Sequence, residues 1–364
     1  TGAQVNLTLT GENVLQSGEE KAALNVPEVE GPVATLIITK ESTGSLFAKG
    51  GASAAGIGGN RHESAGIITI NGGHITAEAL NFVGDPAGIG GGNYGNAGTI
   101  TITGGYVYAY GSQKGIGGGH RHDNPTIGTQ GSITISGGVV VANGIGTNER
   151  TQKISTTITG GIVFSTGLIN NNNERSWSGI IADGSTIATI YPKNGTGYTL
   201  AANDSIPEGY TLQIESGKTL TVGEGNTFTN KGTIQIQSGG SLQNNGTMIN
   251  EGTLTNSGTF SGNKIKPSLK LSASSGSTSY GVNHTFTYTY NGDGEVSVRS
   301  SNENIAKASV SGNTVTVSPV GGGKATITVS AAEGNLYASS IDQPYEVEVT
   351  KATLTDGNFT FSAP

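Results

Sequence analysis

With 364 residues, no cysteine and a formal net charge of −7, the chain is long enough for two or three domains and has neither a disulfide framework nor a thiolate metal site. Its 19 lysines and arginines form no basic tract, which argues against nucleic acid as a partner, and no apolar run approaches the roughly 20 residues that span a bilayer. The 61 glycines and the charged fraction of only 12% would suit a low-complexity chain, but Ile, Val and Leu recur at fixed places between the glycines, and that periodicity argues for order.

The opening Thr1-Gly-Ala-Gln4 has the look of a processed or trimmed start. Residues 5–10 alternate as a strand and, with Leu24-Asn-Val26, suggest the first coil of an array. An end coil exposes its interior, so this end is expected to be atypical and capped. Leu36-Ile-Ile-Thr39 and Gly44-Ser-Leu-Phe-Ala48 form the first full repeat.

A two-part unit then recurs. Its glycine halves are Gly56-Ile-Gly-Gly59, Gly88-Ile-Gly-Gly91, Gly115-Ile-Gly-Gly118 and Gly144-Ile-Gly-Thr147. Its strand halves are Ile68-Thr-Ile-Asn-Gly-Gly73, Ile100-Thr-Ile-Thr-Gly-Gly105, Ile133-Thr-Ile-Ser-Gly-Gly138 and Thr156-Thr-Ile-Thr-Gly-Gly161. A supersecondary unit repeated at steps of 32, 27 and 29 residues predicts a stacked solenoid, with length variation in the loops. Alternation places Ile75, Val107, Val140 and Val163 inside, together with the isoleucines of the glycine halves, and puts Thr69, Thr101 and Thr134 in an outer ladder. The Gly-x-Gly patterns are corners and not dinucleotide fingerprints, because no helix follows them.

Residues 167–200 lose the motif and hold the single tryptophan, Trp177. The solenoid is expected to resume with Tyr210-Thr-Leu-Gln-Ile214 and Lys218-Thr-Leu-Thr-Val222. Gly246-Thr247, Gly252-Thr253 and Gly258-Thr259 lie six residues apart, a spacing that suggests a short coil step. Phe228, Ile234, Ile236, Leu242, Met248, Ile249, Leu254 and Phe260 are its expected interior. Over residues 268–351 longer alternating strands, separated by turns such as Ser311-Gly-Asn313, predict a β-sandwich. Phe359-Thr-Phe-Ser-Ala-Pro364 has the pattern of the first strand of a further module, over residues 352–364.

Two resemblances follow from these residues. Ser300-Ser-Asn-Glu-Asn-Ile-Ala-Lys-Ala-Ser-Val310, Gly323-Lys-Ala-Thr-Ile-Thr-Val329 and Asn335-Leu-Tyr337 resemble a bacterial Ig-like domain of cell-surface proteins. The Gly-Ile-Gly-Gly and Ile-Thr-Ile-x-Gly-Gly units resemble coil repeats of large surface proteins of gut bacteria with a pectin-lyase-like right-handed β-helix. The expected fold is therefore all-β: a right-handed parallel β-helix over residues 1–264, then an Ig-like sandwich over 265–351. The resemblance implies an extracellular location at a bacterial cell surface and a noncatalytic adhesin or glycan-binding role. A polysaccharide lyase or glycoside hydrolase, and a plain structural spacer, are the alternatives, since one fold hosts all three. The partner is expected to be a polysaccharide, a host glycan or a host surface protein, bound by a monomer without membrane insertion in this segment.

Two groups of side chains are candidate sites. Arg61, His62 and Glu63, then His120, Arg121, His122 and Asp123, then Glu149 and Arg150, fall just after successive glycine corners. Arginine offers a forked donor to carboxylate or sulfate, and Glu63, Asp123 and Glu149 suit a hard cation such as calcium. Asn93-Tyr94 interrupts the row, solvated ion pairs explain such turns equally well, and the spacing of the three histidines does not make a zinc site. No other cofactor is expected. The second group is an outer face: Phe47, Tyr106, Tyr108, Tyr110, Val139, Val141 and Phe164 point away from the interior. Exposed, such a patch suits the apolar faces and hydroxyls of a sugar chain; the bland alternative is that residues 167–200 or another domain cover it.

Overall fold

The computed structural model describes residues 3–28, 33–79, 84–119, 131–146, 154–169, 177–191 and 195–351. The described residues hold only strands and turns. The chain divides into two compact units, Thr1–Thr247 with Thr253–Gly262, and Met248–Gly252 with the chain from Asn263 on.

In the first unit the chain visits three sheets in rotation. Gln4–Leu7, Thr35–Ile38, Ile67–Ile70, Gly98–Ile102, Gly131–Ile135 and Ser155–Ile158 build a six-stranded sheet, all parallel. Glu12–Gln16, Ser45–Lys49, His74–Ala79, Tyr106–Gly111, Val139–Ala142 and Ile162–Ser165 begin a second. The two-residue strands at Leu24, Ile57, Ile89, Ile116 and Ile145 make a third. Parallel sheets visited in rotation are compatible with a β-helix. Register is strict: Ile68, Ile100 and Ile133 align, as do Thr69, Thr101, Thr134 and Thr157. The aligned isoleucines of the first and third sheets and the aligned Leu46, Ile75, Val107, Val140 and Val163 of the second are buried in one continuous apolar cluster, each worth roughly 1.5–3 kcal/mol of transfer free energy.

The corners need glycine for a physical reason. Gly90 sits at φ 132°, and a Cβ there would stand 1.9 Å from the carbonyl oxygen of Gly117 in the next coil. The coil-to-coil spacing of ~4.8 Å leaves no room for a side chain turned along the stack. Residues 3–28 already form a full coil, whose outward Val14 is 69% exposed.

The segment that loses the repeat reverses the chain. Gly179–Asp183 adds parallel to Ile162–Ser165, and Ile187–Tyr191 then pairs antiparallel to it. Thr211–Ile214, Thr233–Ile236 and Thr253–Asn256 continue from there, so the second sheet runs through eleven strands. Register shows that the sheet exchanges its buried face on the way. Ile162 pairs with Ile180, Ile180 with Ile190, and Ala188, two residues from Ile190, with Leu212. Ile162 points outward from the first stack, whereas Leu212 points into the second. The second stack is thus built on the outer side of the first. Trp177, in the segment 167–200 offered as one alternative cover for that face, joins the interior cluster of the first stack, with its ring edge-on to Tyr191 at 5.7 Å.

One expectation is corrected by this register. The coil step in the second stack is 22 and then 20 residues, from Thr211 to Thr233 to Thr253. The six-residue spacing separates consecutive strands, Thr247–Asn250, Thr253–Asn256 and Thr259–Gly262, on successive sides. Six residues span only ~20 Å, too little to turn around an interior filled with side chains. Phe228, Ile234, Ile236, Leu242 and Met248 are buried, while Leu254 and Phe260 in the last coil are half-buried. Ile249 also points outward, and the buried positions include Asn230, Asn244 and Asn250.

In the second unit Leu269–Leu271, His284–Tyr290, Thr314–Pro319 and Ala306–Ser311 form one four-stranded sheet, and Ser275–Ser279, Gln343–Thr350, Gly323–Ala331 and Val296–Ser300 another. Both supply one core, in which Phe286 stacks on Tyr345 at 3.8 Å and Val315, Val317, Ile327 and Val329 are fully buried. The strand segment 248–252 belongs here: Asn250 Nδ2 donates to Tyr337 Oη at 2.9 Å.

Candidate functional site

Register sorts the outward residues of the second sheet into columns along the stack. One column is Ser45, His74, Tyr106, Val139 and Ile162; its neighbour is Val14, Phe47, Thr76, Tyr108, Val141 and Phe164; a third is Lys49, Glu78 and Tyr110. The upper coils are open: His74 is exposed, and Phe47, Tyr106, Tyr108 and Tyr110 are half-buried. The lower coils are not. Val139, Val141 and Phe164 are buried, Phe164 completely, so Phe164 cannot serve as a binding surface. The second stack covers them, with Asp204–Ile206 packed on Val139–Ala142 and Ile162–Ser165, and the Tyr210 ring 4.5 Å from that of Phe164.

The aromatic residues that stay open cluster tightly. Tyr108 and Tyr110 stack at 4.5 Å, and His74 lies 5.9 Å from Tyr106. Burial pushes the Tyr210 hydroxyl up to about 12, with the Tyr110 charge and hydrogen bond adding to it. Burial likewise raises Tyr108, again helped by Tyr110, and raises Tyr106. These hydroxyls stay protonated at any physiological pH and can donate hydrogen bonds.

Where the second stack rises from the first, the inner corner holds a groove of about 750 Å³. That size is within the ~300–1,000 Å³ usual for ligand clefts. One side is Ser42, Thr43, His74, Tyr106 and Val139; the facing side is Asn203, Ser205, Thr227, Thr229 and Lys231. Gly73 and Gly105 lie between them. Sequence reasoning found Tyr106 but missed the facing wall. Asn203 to Lys231 belong to a polar stretch whose apposition to Tyr106 follows from the face exchange, which no local pattern announces.

Asp204 borders the groove but pairs with Phe228 on the inner face of the second stack and is only 8% exposed. Its Oδ1 has no hydrogen-bond partner among the described residues, and burial raises its pKa to about 6.

The corner row is partly described. Arg61 forms an ion pair with Glu20 of the preceding coil, and Asn60 Oδ1 accepts from Ala22 N at 2.8 Å. His62 stacks on Tyr94 at 5.0 Å, so the apparent gap in the row is filled by an aromatic partner. Glu63 is half-buried and accepts a long hydrogen bond from Asn60 N. These contacts brace one coil on the next. His120, Arg121, His122, Asp123, Glu149 and Arg150 lie outside the described residues. Among the described residues no three His, Asp or Glu side chains gather as a metal site, and no helix is long and apolar enough to cross a membrane.

No protein-family model matches the chain, and no curated protein matches it. Two solved structures resemble parts of it. Domains 4 and 5 of the S-layer protein SbsC are 26% identical with a TM-score of 0.20, covering 24% of this chain and 54% of that one. Domains 1–6 of the surface layer protein SbsC are 24% identical with a TM-score of 0.22, covering 26% of this chain and 14% of that one.

Proposed function

We propose that the chain is a noncatalytic extracellular surface protein that binds polysaccharide or host glycan on the outer face of its first coil stack. The observation that carries this reading is the groove in which Tyr106 and His74 face a wall of hydroxyl and amide side chains. An aromatic ring takes the C–H face of a pyranose while Ser, Thr and Asn exchange hydrogen bonds with its hydroxyls, a pairing that suits a sugar better than an apolar ligand. Tyr108, Tyr110 and Phe47 extend the platform beside it. In the same reading the coils are right-handed and pectin-lyase-like, the second unit is an Ig-like spacer, and the chain acts at a bacterial cell surface.

Glycan-array binding followed by calorimetry tests it. The combined change Tyr106→Ala, Tyr108→Ala, Tyr110→Ala is expected to weaken the bound glycan at least tenfold, with far-UV dichroism unchanged. Undiminished binding removes this face as the site. Binding to no glycan at all leaves the spacer reading, and unsaturated products from uronate polysaccharides supplied with Ca²⁺ point to a lyase.

A further inference from the structure

The groove has a direction and a charge. Its first wall advances one coil at a time, from Thr43 to His74 to Tyr106 to Val139. Three coil steps are on the order of 14 Å, so the groove runs along the stack and across the strands. Its floor is the column of double-glycine corners. Gly73 and Gly105 hold φ of 78° and 81°, and a Cβ on Gly105 would stand 2.7 Å from Gly73 O of the preceding coil, so these corners are glycine because the coils stack closely.

The charges along this path are few and of both signs. Among the described residues the ionisable groups lining the groove besides Tyr106 are His74, Asp204, Glu208 and Lys231, and Asp204 is turned to the inner face of the second stack. Glu208 offsets Lys231. Arg61, a candidate partner for acidic sugars, is held by Glu20 at another corner. A uronate carboxylate entering this trough would lose water and meet one ammonium, Lys231, beside the carboxylates of Glu208 and Asp204, whereas a neutral ring meets Asn203, Ser205, Thr227 and Thr229 with its hydroxyls.

We infer that the trough selects a neutral polysaccharide and holds a segment of a few rings as an extended chain along the coil axis, over the Gly73 and Gly105 corners and against Tyr106. This rests on the glycan reading above and adds the ligand's charge class and path.

Titration calorimetry with uncharged hexasaccharides of glucan, mannan and xylan, and with hexagalacturonate, tests the inference. At least one neutral chain is expected to bind at least tenfold more tightly than the uronate, and affinity should rise with chain length until the trough is filled. Thr43→Trp and Thr229→Trp obstruct the two walls and should each weaken that neutral ligand at least tenfold while thermal unfolding is unchanged. Thr229→Arg, a second and milder change, should raise affinity for the uronate. Equal or tighter uronate binding by the natural chain overturns the charge class. Neutral binding that is lost with the Tyr106, Tyr108 and Tyr110 changes but indifferent to both tryptophans overturns the path and leaves the glycan reading standing. Failure of every saccharide to bind removes the glycan reading itself.

Discussion

At the scale of single residues, Asp204 is the group whose environment opposes its charge most plainly. It packs at the start of the second stack, where Asp204–Ile206 lies on the outward side chains of Val139–Ala142, with an oxygen lacking a hydrogen-bond partner among the described residues. Burial alone accounts for its pKa of about 6. A folded-state pKa above the unfolded value near 3.8 means that the native state binds the proton more tightly. The full stability is therefore present below about pH 4, is lost progressively as pH rises through about 6, and stays lost above that. Two pKa units correspond to roughly 3 kcal/mol, and partial solvent access makes roughly 2 kcal/mol the better expectation. Urea unfolding at pH 4.5 and 7.5 checks this: the natural chain should lose stability relative to Asp204→Asn across that interval. A difference between the two proteins that does not vary with pH would show that Asp204 does not titrate there. The same packing explains why Tyr106 and Phe164, alike in alternation, differ in fate. Tyr106 stands one coil above the covered zone, whereas Phe164 lies under Tyr210.

At the scale of the element, glycines of positive φ serve two different roles in this chain. Gly90 and Gly225 both hold positive φ, 132° and 77°. A Cβ on Gly90 would stand 1.9 Å from Gly117 O, but one on Gly225 meets nothing within 4 Å. Gly225→Ala is accordingly expected to cost only the left-handed penalty of about 1–2 kcal/mol, while Gly90→Ala forces two coils apart and should cost more than roughly 3 kcal/mol. Thermal unfolding of the two variants decides it; equal losses would mean that conformation, and not coil spacing, selects glycine in the repeat. The repeat was legible because each inward Ile must sit over the last at a fixed register, and strict register leaves strict periodicity. Asn230 and Asn244 were not, because asparagine two residues before Gly has the pattern of a turn, yet both are fully buried at strand ends, where Asn230 Nδ2 donates to Thr253 O at 2.9 Å. The groove's facing wall was hidden for a different reason. Its distance from Tyr106 depends on one antiparallel pairing, Ile180 with Ile190, that turns the later coils to the other side of the sheet.

At the scale of the whole molecule, composition changes near Lys264-Ile-Lys-Pro267, but the compact unit that follows also takes in the strand segment 248–252. Physical chemistry says what that segment supplies to it. Lys266 N donates to Met248 O and Asn250 N to Lys266 O, and Asn291 Nδ2 donates to Asn250 O at 2.8 Å. Asn250 and Tyr337 are both buried and share a hydrogen bond, in surroundings that push the tyrosine hydroxyl up to about 12. A fragment beginning at residue 263 leaves the buried Tyr337 Oη and the half-buried Asn291 amide without these partners, the buried hydroxyl alone costing about 1–3 kcal/mol. A fragment over 248–351 should therefore melt well above one over 263–351. At roughly 4–8 °C per kcal/mol for a domain of this size, the expected gap is at least several degrees. Tyr337→Phe in the longer fragment should lose only part of that gap, since the backbone ladder to Lys266 remains. Coincident melting of the two fragments would mean that segment 248–252 adds nothing to the stability of the unit.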